Sequence, residues 1–409
     1  MYRKTLLENG IAVISESLPY FRSVTLGIWV KVGSRDEARG EEGLCHFIEH
    51  MAFKGTAKRS AFDIAKEIEA VGGTLNAFTT KEYTCFHAKV LAKDVPLALD
   101  ILSDIVSDPL FDPEEMERER GVVLQEIKSI EDQPEELVQE LFYARFWKDH
   151  PLGHSIAGSE ETVKAFSRER VKEFFGRHWR PEAMIVAAVG ALDHGELVQQ
   201  VRKTLGELEP GDGVPRRIPP KETGKGKEAF SKDLEQVHLC IGFNGFPQTA
   251  PERYPALVFN ALFGGNMSSR LFQEVRERRG LAYSVYSFLR GYSDAGLFGV
   301  YVGTTKGEVN KVFEVLQREF ERAQKGEFTE EEVRIAKEYL KGGILLSLES
   351  TEERMIHLAK SEIYFGRHVP IEETIDKIEA VSLEDVKEVS RSLLAEDPCL
   401  VLLGDVEGL

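Results

Sequence analysis

Two histidines stand four residues apart in His46-Phe47-Ile48-Glu49-His50, with a glutamate directly before the second. On a helix, positions i and i+4 are only about 40° apart, so both imidazoles can reach one ion. Glu49 lies beside His50 and one turn from His46, where it can hold a metal-activated water and take its proton. This is a metal-hydrolase arrangement, in the reverse order of the commoner His-Glu-x-x-His motif. The surrounding residues are Leu44, Cys45, Phe47, Ile48, Met51, Ala52 and Phe53, so the helix reads as buried nearly all round. Ionisable groups there are costly unless paired or metal-bound. The plainer alternative is a pair of histidines hydrogen-bonded inside a core.

An open catalytic zinc site needs a third protein ligand. The segment that starts at Asp112-Pro113 reads as a helix, with Asp112 as its N-cap and Pro113 in its first turn. At 100° per residue Met116, Val123, Ile127 and Ile130 form one apolar stripe, and Glu119 and Glu126 border it. We read Glu126 as the third ligand and Glu119 as the carboxylate that orients a ligand from behind. The alternative is a partly buried ion pair with Arg or Lys.

These groups must be carried by a fold, and the chain holds two copies of one. Phe111–Met116 resembles Phe328–Val333, Phe166–Val171 resembles Val381–Val386, and Val189–Asp193 resembles Leu403–Glu407, each about 215 residues on and in the same order. A Gly/Pro/Lys-rich stretch without apolar periodicity separates them. The expected organisation is therefore a metal-binding domain at 1–208, an extended linker at 209–228 and a homologous domain at 229–409. Ser23–Val30 alternates like a strand, as do its counterpart Val237–Phe243 and the segment Tyr83–Val90, whereas Pro96–Val106 has helical spacing. The fold class is α+β, two α/β sandwich domains, each a mostly antiparallel sheet covered by helices. The second copy has no His-x-x-Glu-His, and the position matching Glu126 is Gly343. The metal residues are thus not demanded by the architecture.

With 409 residues and 42 % hydrophobic content, the chain has enough material for two cores. The net charge of −17 disfavours a nucleic-acid partner and favours cationic ones. No apolar run is long enough for a membrane span, and the first residues lack the apolar core of a signal peptide. Cys45, Cys85, Cys240 and Cys399 have no close spacing. They fit a reducing compartment, and the expected location is the cytoplasm.

The motif with Glu126, 76 residues after His50, resembles the pitrilysin family of zinc metallopeptidases, most closely its branch similar to the mitochondrial processing peptidase. Gly43–Thr56 is similar to the family signature. Gly72–Thr79 resembles its substrate-binding edge strand, and Ser269–Tyr283 a signature of its second domain. The resemblance implies one Zn²⁺ per chain on His46, His50 and Glu126, with Glu49 as general base. It implies Arg276 and Tyr283 as groups reaching over the substrate. Asn76, Ala77 and Phe78 become the edge on which a peptide docks. Larger members carry four such domains in one chain, so two copies of this chain, a homodimer, would complete the same closed chamber. The implied activity is hydrolysis of unfolded peptides, basic and extended ones being favoured by the acidic charge. A catalytically silent core or scaffold subunit of the same family is the alternative. Such a subunit would usually have lost His46, Glu49, His50 and Glu126.

Overall fold

The structure, a computed structural model, describes residues 1–211 and 213–408. It divides into two compact units, each built on one sheet. The first contains β1 (Tyr2–Leu6), β2 (Ala12–Ser17), β3 (Ser23–Val30), β4 (Thr74–Thr79), β5 (Thr84–Leu91) and β6 (Met184–Gly190) in the order β1-β2-β6-β3-β5-β4. The second contains β7 (Gly226–Ser231), β8 (Val237–Asn244), β9 (Ala282–Gly291), β10 (Gly296–Thr304) and β11 (Cys399–Gly404) in the order β7-β11-β8-β10-β9. Without β1 the two orders coincide. The single parallel pairing also recurs at the same place, β2 with β6 and β7 with β11, all others being antiparallel. The expected duplication and α+β class hold.

In the first unit one sheet face, with Leu26, Ile28, Phe86 and Ala88, packs under α1 (Leu44–Ala52), α2 (Ala61–Ala70) and α3 (Val95–Ser107). From α3 the chain runs to α4 (Pro113–Glu131), whose Met116 and Val123 join this core. Alternation along the strands puts Ile14, Trp29, Cys85 and Val189 on the opposite face. That face is covered by the helix Thr351–Phe365 through Met355, Leu358 and Ala359. Trp29 Nε1 donates to Met355 Sδ at 3.2 Å, and the Thr25 and Thr351 hydroxyls lie 2.8 Å apart. In the second unit, Leu239, Ile241, Val300 and Leu402 pack against the helices Arg253–Phe263 and Val309–Gln324. The other face, with Cys240, Tyr301 and Val401, is covered by α5 (Pro134–Phe146) through Val138, Phe142 and Phe146.

The compact units therefore differ from the contiguous spans read from the sequence. The first comprises 1–129, 154–217 and 347–368; the second comprises 130–153, 218–346 and 369–409. Each half of the chain sends one helix to the other half's sheet, because each sheet has two apolar faces and the local helices cover one. The expected linker forms neither helix nor strand among its described residues from 209 to 225. It is pinned in the first unit by Arg217, whose guanidinium donates to Asp36 and to the carbonyls of Lys31 and Glu82.

Candidate metal centre

Helix α1 begins at a constriction. Its N-cap, Gly43, sits at φ +97°, and a Cβ there would meet the Ala157 carbonyl at 2.7 Å, so only glycine fits. Glu37 serves the first turn: its carboxylate accepts from Gly43 N at 2.8 Å and from Cys45 N at 2.7 Å. Two amides that α1 cannot satisfy internally thus find acceptors in one carboxyl group. Burial pushes the Glu37 carboxyl up to about 8, against the lowering effect of these amides. Leu44, Cys45, Phe47, Ile48, Met51 and Ala52 are buried, as the composition implies, and leave His46, Glu49 and His50 on the remaining edge. Asp112 caps α4 by accepting from Glu114 N and Glu115 N, and Glu119 and Glu126 flank the buried Met116 and Val123.

The three predicted ligands come together. His46 Nε2 and His50 Nε2 are 3.2 Å apart, and Glu126 Oε2 lies 3.5 Å from each. They form the one cluster of metal-ligating type among the described residues. Ligand bonds of ~2.0–2.2 Å at tetrahedral angles put donor atoms about 3.3–3.6 Å apart. The two 3.5 Å sides fall in that range and the 3.2 Å side lies just below it. The donors, two imidazole nitrogens and a carboxylate oxygen, suit zinc. Burial, then the neighbouring His50, lowers His46 to about 4, so its imidazole is neutral and keeps a lone pair to offer at neutral pH.

Glu119 occupies the supporting position. Its Oε2 accepts from His50 Nδ1 at 3.1 Å, which leaves His50 Nε2 as the lone-pair nitrogen facing the triangle. Lys54, one residue past the C-cap of α1, pairs with the other oxygen of Glu119 at 2.7 Å. Glu49 lies on the same helix edge, and Thr79 Oγ1 donates to its Oε2 at 2.5 Å. Burial raises the Glu49 carboxyl while the Thr79 hydroxyl lowers it. A carboxylate with a raised pKa is the stronger base, which suits general-base work. Cys45 is fully buried, and burial and Glu37 hold its thiol well above the usual range, so it has no nucleophile's character.

β4 is the edge of its sheet, pairing with β5 alone. Ala77 packs toward the core under α1, and Thr79, two residues on, meets Glu49 from that face. Phe78 points the other way, into Trp29, Tyr83 and His87 with ring centroids 5.6, 6.4 and 5.9 Å away. Asn76 shares that opposite face, its Oδ1 turned back to accept from Ala77 N. Of the three expected edge residues, then, Ala77 alone aims its side chain toward the metal-centre side. Any contribution of Asn76 and Phe78 there is through the backbone.

In the second unit Arg276 and Tyr283 are neighbours. The Arg276 guanidinium stands 5.0 Å from the Tyr283 ring centroid and 4.8 Å from that of Phe272, and Tyr283 is 77 % exposed at the start of β9. Arg276 lies in a π-helical turn, Phe272–Glu277. Three polar residues around the centre carried no assigned role in the sequence: Glu37, Lys54 and Thr79. Lys54 and Thr79 stand inside recognisable motifs, whereas Glu37 gives no local signal.

Residues 12–160 match the family described as insulinase, peptidase family M16, and residues 165–340 match the peptidase M16 inactive domain. An "uncharacterized zinc protease" of Streptomyces coelicolor is 40 % identical over 99 % of this chain and 90 % of its own length. The chain belongs to peptidase family M16. A second such zinc protease, from Bacillus subtilis, is 37 % identical over 98 % of both chains, and one from Mycobacterium tuberculosis is 41 % identical over 98 % of this chain and 93 % of its own. The fold is shared with a protease from Helicobacter pylori (TM-score 0.90, 20 % identity, 99 % of both chains covered). It is shared too with a peptidase M16 inactive domain from Pseudomonas fluorescens (TM-score 0.93, 20 % identity, 99 % of this chain and 98 % of that one). The M16 chain has no helix among its described residues long and apolar enough to cross a membrane.

Proposed function

We propose that this M16 chain is a zinc-dependent endopeptidase acting on unfolded peptides. The observation that carries the reading is the triangle of His46, His50 and Glu126 donor atoms, 3.2–3.5 Å on a side, with Glu49 beside it. Zinc bound there supplies a Lewis acid that acidifies water and polarises a carbonyl. Glu49 takes the proton of the attacking water and returns it to the leaving amine. Glu119 holds His50 in the ligating tautomer, and Lys54 holds Glu119. Arg276 and Tyr283 are assigned to the developing oxyanion on the strength of the motif they share with the family. The peptide pairs with β4 by backbone addition, with Asn76, Ala77 and Phe78 as its partners.

The working form is a homodimer enclosing a chamber, since one chain carries both motif sets and two copies supply four domains. An acidic chain favours basic, extended peptides. The expected results are one zinc per chain by metal analysis, and cleavage of a peptide library that stops when zinc is removed. Light scattering should give about twice the 46.0 kDa chain mass. Stoichiometric zinc in a Glu126→Ala variant removes Glu126 from the ligand set. Full activity from a strict monomer, or rapid cleavage of a rigid folded domain, rules out the chamber.

A further inference from the structure

Glu49 sits on α1, but the hydrogen bond its carboxylate receives comes from another element. Thr79 Oγ1, on the last residue of β4, donates to Glu49 Oε2 at 2.5 Å. In the ionised form that a general base needs, the carboxylate can only accept, so the hydroxyl is the donor. A glutamate side chain turns about three bonds, and the nearby Glu126 carboxylate repels it. The hydroxyl therefore acts on a group that its own helix does not fix. The tether has a second property. β4 is the open edge of the sheet, so a peptide added to it runs along the strand that carries the tether.

We infer that Thr79 is a positioning residue for the general base: its hydroxyl occupies Glu49 Oε2 and leaves Oε1 to take the proton, so that peptide docking on β4 and base alignment act through one strand. The inference rests on the proposed peptidase reading. Nothing in it requires Thr79 to touch zinc or substrate.

Zinc content, melting temperature, kcat and KM are measured for wild type and for Thr79→Val, Thr79→Ser and Thr79→Ala on one cleaved peptide. Valine keeps the shape and the strand preference and loses only the donor. Thr79→Val should lower kcat by roughly ten- to a hundredfold, the scale of a small misplacement of a catalytic group. KM, zinc content and melting temperature should stay near wild type. Thr79→Ser should recover activity to within about threefold of wild type, since it restores the donor. Serine and alanine differ by the hydroxyl alone, so that pair decides the matter if the valine protein folds poorly. In a Glu49→Gln background, Thr79→Val should cost nothing further. Unchanged kcat in Thr79→Val, equal activities for serine and alanine, loss of zinc, or an undiminished effect in the Glu49→Gln background each overturns the inference. A zinc-loaded wild type that cleaves no peptide overturns the peptidase reading and the inference with it. An active wild type with an unaffected Thr79→Val overturns the inference alone.

Discussion

The two units share a strand order and differ in the helix that comes after the equivalent strands β3 and β8. After β3 comes α1, with three polar groups on an otherwise buried helix. After β8 comes the helix Arg253–Phe263, where Phe259 and Phe263 pack on Phe298 and Phe320 with centroids 5.2 and 5.6 Å apart. The contrast recurs at α4. Glu119 and Glu126 correspond to Ala336, which is buried, and Gly343, whose surroundings are open. One sheet plan thus supports a polar cluster in one copy and an aromatic core in the other. The aromatic version is the less costly way to fill the space, since dispersion and burial need no paired charges. The polar version persists where a cation can offset it.

The sharpest test of this difference is Glu49→Gln. It should leave zinc content and melting temperature near wild type while peptidase activity falls by about 10²–10⁴ or more. Activity within tenfold of wild type would remove Glu49 from the role of general base. Next come Arg276→Ala and Tyr283→Phe, which ask whether the unit without a metal motif contributes chemistry at all. Each should lower kcat/KM by roughly 10²–10³ with zinc retained; normal turnover in both would confine the chemistry to the first unit. Lys54→Met strips the cation from Glu119 and should weaken zinc binding about 10- to 100-fold in competition with a chelator. Unchanged affinity would show that His50 alone suffices to hold that carboxylate. Gly343→Ala probes the silent counterpart of Glu126. A Cβ there meets nothing within 4 Å, so helix propensity should add about 0.5–1 kcal/mol to stability, with zinc and activity unmoved. A loss of activity would mean that this surface does something its open surroundings do not suggest.

What could be read in advance tracked the range of each signal. His46, Glu49, His50, Glu119 and Glu126 were legible because helical periodicity alone sets which of them share an edge. The duplicated sheets were legible because the repeats keep their order. Glu37, Lys54 and Thr79 were not, because each acts through a contact made by folding: a loop carboxylate under a helix start, a lysine reaching to α4, a strand end meeting α1. The orientation of Phe78 was within reach, since period-two alternation opposes it to Ala77 and Thr79. The destinations of α5 and of Thr351–Phe365 were not, because an amphipathic pattern tells a helix to cover a sheet without saying which one.

That exchange has a consequence for biosynthesis. As the chain leaves the ribosome, residues 1–217 can form the first sheet and its α1–α3 layer. The face bearing Ile14, Trp29, Cys85 and Val189 stays bare until residues 351–365 have been made. The first unit therefore matures only when nearly the whole chain has been translated. In the meantime it presents an apolar sheet face of the kind that chaperones hold and that neighbouring nascent chains stick to. A chain built this way acquires its finished shape late, after the second unit's sheet strands up to β10 have been synthesised.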